Sequence, residues 1–69
     1  MEKIKARRVD VESGRMYFDH FTVIKLSNNY FAVFDGYGNK VTSGKSLNSA
    51  AKKAKLLEIG FSVGKDYYN

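Results

Sequence analysis

The sequence predicts an α+β domain: an antiparallel sheet of three or four strands, connected as a β-hairpin meander, with one C-terminal helix packed on one face. Three observations predict this architecture. The chain between Gly14 and Gly36 is rich in β-branched and aromatic residues, which suit a pleated surface. Short segments of Asn, Asp and Gly interrupt these runs where turns are needed. A stripe of small apolar residues at helical spacing then follows in the C-terminal half.

The central hairpin is the clearest element of the sequence. Residues 15–26 and 30–35 are predicted as its two strands because both runs are dense in aromatic and branched side chains. Ser27, Asn28 and Asn29 lie between them, and asparagine accepts the backbone conformations of a tight turn.

Two further strands are expected on either side of this hairpin. A glycine-containing turn at residues 35–39 leads into a strand over residues 40–44. Residues 1–13 are predicted as an edge strand or an irregular segment, because polar and apolar residues alternate there and Ser13-Gly14 forms a turn. A helix over residues 2–12 is the competing interpretation.

The helix is predicted over residues 47–59. Ser46 is suited to cap its first turn, and Gly60 is expected to end it in the left-handed conformation, with Phe61 packing back onto the last turn. Residues 61–69 then form a tail. The apolar stripe that defines the helix consists of Leu47, Ala50, Ala51, Ala54 and Leu57.

The predicted hairpin is bulky on both faces, whereas a single short helix covers only one. Phe21 to Ile24 and Tyr30 to Phe34 place large side chains on alternating sides of their strands. The second face must therefore be left exposed, be covered by the tail, or be buried against a partner. Large exposed apolar patches usually mark binding surfaces, so the expected covers are the tail, a second copy of the chain in a homodimer, or a different partner.

Length and composition exclude several classes of protein. Sixty-nine residues suffice for one domain, residues 1–69, with a small core. The apolar fraction of 43% is too high for a disordered chain, and the absence of cysteine excludes disulfides, zinc ribbons and thiol nucleophiles.

No apolar run approaches the roughly 18 residues of a membrane span, and no signal-peptide core follows the start. We therefore expect a cytoplasmic protein without a membrane partner or cofactor.

The net charge of +5 is concentrated in one segment. Residues 40–55 contain five lysines and no acidic residue. A solvated helix face is the ordinary explanation of such a run, whereas a contact surface for the phosphates of a nucleic acid is the functional one. The candidate phosphate ligands are Lys40, Lys45, Lys52, Lys53 and Lys55, with Arg7, Arg8 and Arg15 as a second patch.

No catalytic or metal site is predicted. Ser43-Gly44-Lys45-Ser46 resembles the end of a phosphate-binding loop, but Asn39 occupies the position where that motif needs a glycine. His20 is the single histidine, and its neighbour Asp19 points to the opposite face if both lie in a strand. We find no pair of nucleophile and base, so we expect a protein that is not an enzyme.

The aromatic residues divide into core and candidate contact residues. Most phenylalanines should be buried, whereas a tyrosine can lie on the surface with its hydroxyl in water. The candidates for stacking on bases or for a protein interface are Tyr17, Tyr30, Tyr37, Phe21 and Phe34.

The stretch from Phe31 to Leu57 resembles two families that bind nucleic acid. A strand, a glycine turn, a strand ending in Ser43-Gly44-Lys45-Ser46 and an alanine-lysine helix are similar to the second half of double-stranded-RNA-binding domains. The same order resembles the three-strand-plus-helix DNA-binding modules of plant transcription factors and integrases. Leu47 and Asn48 stand where the RNA-binding family has key lysines. We assign the chain to neither family.

Together these features predict a small, basic, non-catalytic module that binds DNA or RNA through a lysine-rich helix and the adjoining strand. The alternative is a protein-binding adaptor or inhibitor, of the kind that phages and mobile elements carry. It would use an exposed aromatic sheet face, and its lysines would steer it toward an acidic protein surface.

Overall fold

A computed structural model describes the backbone of residues 5–68 and the side chains of residues 5–61. It confirms the α+β class, with an antiparallel sheet and one C-terminal helix. The sheet has five strands rather than three or four, in the order β1-β2-β3-β4-β5. The elements are β1 (Arg8–Asp10), β2 (Arg15–Tyr17), β3 (Thr22–Ser27), β4 (Tyr30–Phe34), β5 (Lys40–Gly44) and α1 (Leu47–Tyr68).

The first hairpin settles the conformation of residues 8–10, which form the edge strand β1 rather than a helix. Val9 pairs with Met16 in an antiparallel register. Gly14 closes the turn with a φ of 69°, and its N–H donates to the carbonyl of Val11 at 3.3 Å. A Cβ atom at Gly14 would lie 2.5 Å from Cβ of Lys25, so this turn requires glycine both for its backbone angle and for the close approach of β3.

The extra strand arises because the predicted strand over residues 15–26 is interrupted. Phe18 and Phe21 are both buried in the core, and two residues three apart cannot share one face of a regular strand. The chain bends between them, with the Phe18 N–H bonded to the carbonyl of Phe21 at 2.8 Å. This bend, residues 18–21, separates β2 from β3 and places His20 outside any strand, contrary to the prediction.

The hairpin of β3 and β4 and the following strand β5 form as predicted. Val23 pairs with Val33, and Val33 pairs with Thr42. The turn at residues 35–39 is held by the side chain of Asp35, whose Oδ1 accepts the N–H groups of Tyr37 and Asn39 at 2.9 Å each. Asp35 thus stabilises the turn that brings β5 alongside β4.

The core lies between one face of the sheet and the alanine side of α1. Val23 and Val33 are fully buried there against Ala50 and Ala54. Small side chains let the helix lie close to the sheet, and at Gly44 an added Cβ would lie only 2.7 Å from the backbone nitrogen of Ala50. The buried cluster comprises Phe18, Phe21, Val23, Phe31, Val33, Ala50, Ala51 and Ala54.

The predicted end of the helix at Gly60 is wrong. α1 continues to Tyr68, and positive φ among the described glycines occurs only at Gly14 and Gly38. Phe61, expected beyond the helix, belongs to it and stacks on His20 with ring centroids 4.1 Å apart. This stacking contact stabilises the helical conformation of the residues that follow Gly60. The sequence also predicts that the tail, residues 61–69, could cover the second face of the sheet. Apart from Phe61, the side chains of this segment lie outside the described residues.

Candidate nucleic-acid interface

The helix lysines do not share one side of the molecule. An α-helix turns by about 100° per residue, so Lys53 and Lys55 point about 160° apart, on opposite flanks of α1. Lys53 leans toward the sheet and donates through Nζ to the carbonyl of Ser43 in β5 at 2.5 Å. Lys52 and Lys55 are exposed on other parts of the helix surface. The predicted continuous surface from Lys40 to Lys55 is therefore divided.

Three of the predicted lysines lie near Tyr30, which begins β4 beside the edge strand β5. Lys40 lies with Nζ 5.1 Å from the ring centroid of Tyr30 and donates a hydrogen bond to its hydroxyl. Lys45 and Lys53 line a cleft of about 520 Å³ together with Tyr30. We call this the β5 cleft; its lining consists of Asn29, Tyr30, Ser43, Gly44, Lys45, Ser49 and Lys53.

The β5 cleft lies beside the start of α1. The N-cap predicted at Ser46 forms: its Oγ accepts the Ser49 N–H at 3.1 Å, and its carbonyl accepts the Ala50 N–H at 3.0 Å. The first turn carries no acidic residue, so the positive end of the helix dipole adds to the two lysines. The lining of the cleft is without acidic side chains, and its electrostatic potential favours an anion.

The face of the sheet opposite α1 carries the second group of predicted residues. We call it the open face, because the sheet residues of the cluster that packs against α1, namely Val23, Phe31 and Val33, all lie on the other face. Strand pairing aligns one residue from each strand in a row across it, with a register shift between Val33 and Phe34 where β4 meets β5. In order from β1 to β5 this row is Arg8, Tyr17, Thr22, Phe34 and Lys40.

A second row on the open face carries no net charge, because one arginine and one aspartate offset each other. Ala32, which is fully buried, pairs with Ile24 on one side and with Ser43 on the other. Arg15 continues the row on β2, and Asp10 ends it on β1. Asp10 accepts the Ser13 N–H at 3.2 Å, and its hydrogen bonds with Ser13 hold its pKa below the ordinary value of 3.8. The predicted arginines Arg8 and Arg15 thus lie on the same face as Tyr17, Tyr30 and Phe34.

Three other predicted site residues lie elsewhere. Phe21 is in the core with 8% of its surface exposed, and it lines a second cleft rather than the open face. Arg7 forms an exposed ion pair with Asp19. Tyr37 is 92% exposed in the turn between β4 and β5, on the rim of that second cleft.

The second cleft is mostly apolar and contains the histidine. It has a volume of about 490 Å³ and lies between the bend at residues 18–21, the turn at residues 35–39 and α1. Glu58, only 2% exposed, lies beneath it and accepts a hydrogen bond from the His20 ring through Nδ1 at 2.7 Å. Its lining consists of Asp19, His20, Phe21, Asp35, Gly36, Tyr37, Val41, Leu57 and Phe61.

Sequence reasoning missed Glu58. The signal was available, because Glu58 follows Ala54 by four positions and Ala51 by seven, which places a carboxylate within the apolar stripe of the helix. A carboxylate on an apolar stripe must find hydrogen-bond donors on the element that covers it. A carboxylate that holds Nδ1 of a histidine also orients the ring, but the lining of this cleft supplies no Ser, Thr or Cys as a nucleophile.

Comparison of the chain with protein-family models, curated proteins and solved structures finds no match. Over the described part of the chain, no three His, Cys, Asp or Glu side chains come together as a metal-binding group would require. Over the same part, α1 is not apolar enough along its length to span a membrane.

Proposed function

We propose that this protein binds nucleic acid, through electrostatic contacts with the phosphate backbone centred on the β5 cleft. The observation that carries the proposal is that Lys40 contacts Tyr30 while Lys45 and Lys53 line the same cleft as Tyr30, at a helix start without acidic residues. Lysines grouped in this way neutralise phosphates and release counterions, which gives affinity that does not depend on sequence.

The three lysines come from different elements, and this supports a shared role. Lys40 begins β5, Lys45 follows its end, and Lys53 reaches back from the second turn of α1. Solubility alone requires no such grouping, because lysines that keep a surface solvated are usually interspersed with acidic residues. Lys52 and Lys55, directed elsewhere, fit the ordinary role of solvated side chains.

The experiment measures binding of fluorescein-labelled 20-mer oligonucleotides, single-stranded and duplex, by fluorescence anisotropy at several KCl concentrations. We expect log affinity to fall with log salt at a slope of about −2 to −3 if three lysines contact phosphates. Each of Lys40→Gln, Lys45→Gln and Lys53→Gln should reduce this slope by roughly 0.7–0.9.

Lys55→Gln is the matched control, because it removes the same charge from the same helix on the opposite flank. It should leave the salt slope unchanged. Circular dichroism checks that all four variants fold equally well. Absence of binding by the unaltered chain at 20 mM KCl, or an equal effect of Lys53→Gln and Lys55→Gln, would refute the proposal.

A protein-binding adaptor or inhibitor is the second candidate function. It is favoured by the apolar cleft beside His20, where Tyr37 is 92% exposed and Phe61 is 45% exposed. Exposed aromatic side chains around a concave apolar surface are typical of protein interfaces. In this case Tyr37→Ser would abolish partner binding, whereas the three lysine substitutions would only slow association.

A further inference from the structure

The open face of the sheet presents two aromatic side chains between two cations. We propose that a single-stranded nucleic acid lies across this face, with unpaired bases stacked on Tyr17 and Phe34. The inference deepens the proposed function and rests on it, since it names the class of nucleic acid and the surface that reads its bases.

The register of the sheet determines the spacing of this platform. Tyr17 and Phe34 both pair with Thr22, one from each side. Neighbouring strands lie about 4.8 Å apart, so the two aromatic residues are separated by about 10 Å. That separation exceeds the range over which two rings pack against each other, and the aromatic contacts among the described residues join neither ring to another.

The residue between the two aromatic side chains of the open face is small. Thr22 stands between the two aromatic residues, and fully buried Ala32 lies beside it in the next row, paired with Ile24 and Ser43. Thr22 is smaller than the two aromatic residues that flank it, and Tyr17 and Phe34 are each partly exposed. A flat base can therefore approach either ring without meeting a bulky neighbour between them.

A positively charged side chain lies at each end of the row that contains Tyr17 and Phe34. Arg8 lies with its guanidinium 5.9 Å from the ring centroid of Tyr17, and Lys40 pairs with Phe34 at the other end. The two cations are four strand spacings apart, or about 19 Å. Arg15 adds a third positive charge to the face, against the single carboxylate of Asp10 in the two rows. The surface is thus complementary to a backbone whose phosphates flank stacked bases.

This arrangement favours a single strand over a duplex. In a duplex each base is already stacked and paired, so aromatic rings on a protein surface gain little from it, whereas an unpaired base can lie on a ring. Lys40 also joins the open face to the β5 cleft, because its ammonium group lies over Tyr30. One strand can therefore contact the platform, Lys40 and the two lysines of the β5 cleft.

The test is anisotropy titration of the full chain with labelled dT20 and with a 20-base-pair duplex. Tyr17→Leu and Phe34→Leu should each weaken dT20 binding by about tenfold, with the salt slope and duplex affinity unchanged. The matched controls Tyr17→Phe and Phe34→Tyr keep the rings and should bind dT20 within about twofold of the unaltered chain.

A second pair of variants guards against loss of folding in the leucine variants. Thr22→Glu places an anion in the centre of the platform and should weaken dT20 binding by at least tenfold, whereas Thr22→Lys at the same position should not weaken it. If the aromatic and Thr22 substitutions leave dT20 binding unchanged while Lys53→Gln still weakens it, the platform is refuted and the proposed function stands. If neither oligonucleotide binds at 20 mM KCl, both are refuted.

Discussion

The carboxylate of Glu58 binds the bend that carries His20, 38 positions earlier in the chain. Oε2 accepts the backbone N–H of His20 at 2.6 Å and that of Phe21 at 2.9 Å, and Oε1 lies 2.7 Å from Nδ1 of the His20 ring. Among the described residues, Glu58 is the one charged side chain in the core. Its hydrogen bonds fix the second half of α1 to the bend between β2 and β3.

Glu58→Gln should destabilise the fold by about 2–3 kcal/mol. Glutamine retains one acceptor oxygen, but its NH2 group would face an N–H donor that is now unpaired. Urea unfolding followed by circular dichroism measures the loss. Glu12→Gln, on the exposed turn between β1 and β2, is the control and should change stability by less than about 0.5 kcal/mol. Equal midpoints for the two variants would contradict this role of Glu58.

Asp10 should contribute to stability in a pH-dependent manner. Its pKa in the folded chain is lowered by its hydrogen bonds with Ser13. Its contribution is therefore fully present above the ordinary value of 3.8 and is lost as the pH falls through the lower folded value. Asp10→Asn should lower the urea midpoint at pH 5, and the gap from the unaltered chain should close toward pH 2. A gap that is constant from pH 5 to pH 2 would show that Asp10 does not act through its charge.

Gly14→Ala should cost about 2 kcal/mol or more, because alanine is strained at positive φ and its Cβ would overlap the Lys25 side chain. Thermal unfolding measures the change. Gly36→Ala is the matched control, since its φ is not positive and the nearest atom to a new Cβ is 4.0 Å away. Similar melting temperatures for the two variants would argue against a tight turn at Gly14.

Gly60→Ala should stabilise the protein by about 0.5–1 kcal/mol. Gly60 lies within α1 with no atom within 4 Å of a new Cβ, and alanine is the better helix former. A glycine that ended the helix in the left-handed conformation would give the opposite sign, since alanine there is strained. Chemical denaturation therefore distinguishes a helix that ends at Gly60 from one that continues to Tyr68.

Local patterns predicted the fold class, and tertiary contacts explain where the prediction departs from the structure. The β3–β4 hairpin and the alanine stripe were visible because each depends on side-chain types within a few positions. The bend at residues 18–21 was missed, although the burial of both Phe18 and Phe21 requires it. The continuation of α1 past Gly60 brings Phe61 against His20, a contact between residues 41 positions apart that no local pattern contains.

The candidate site was predictable by residue type but not by position. Lysine clustering in the sequence does not reveal that Lys53 turns to β5 while Lys55 turns away, since this depends on which side of the helix faces the strand. The row that joins Arg8, Tyr17 and Phe34 depends on the pairing of strands across three turns, and a shift of one residue would place these side chains on the other face.

The order of the strands in the sheet has a consequence for how the chain reaches its native state. Each strand is paired only with its neighbours in sequence, so the sheet can grow by successive hairpins, each closing a short loop at little entropic cost. Docking of α1 is the step that joins distant parts of the chain, and the hydrogen bonds from Glu58 to residues 20 and 21 form at that step. Such a topology favours rapid folding, and we expect the hydrogen bonds of Glu58 to form only after the strands have paired and the helix has reached the sheet.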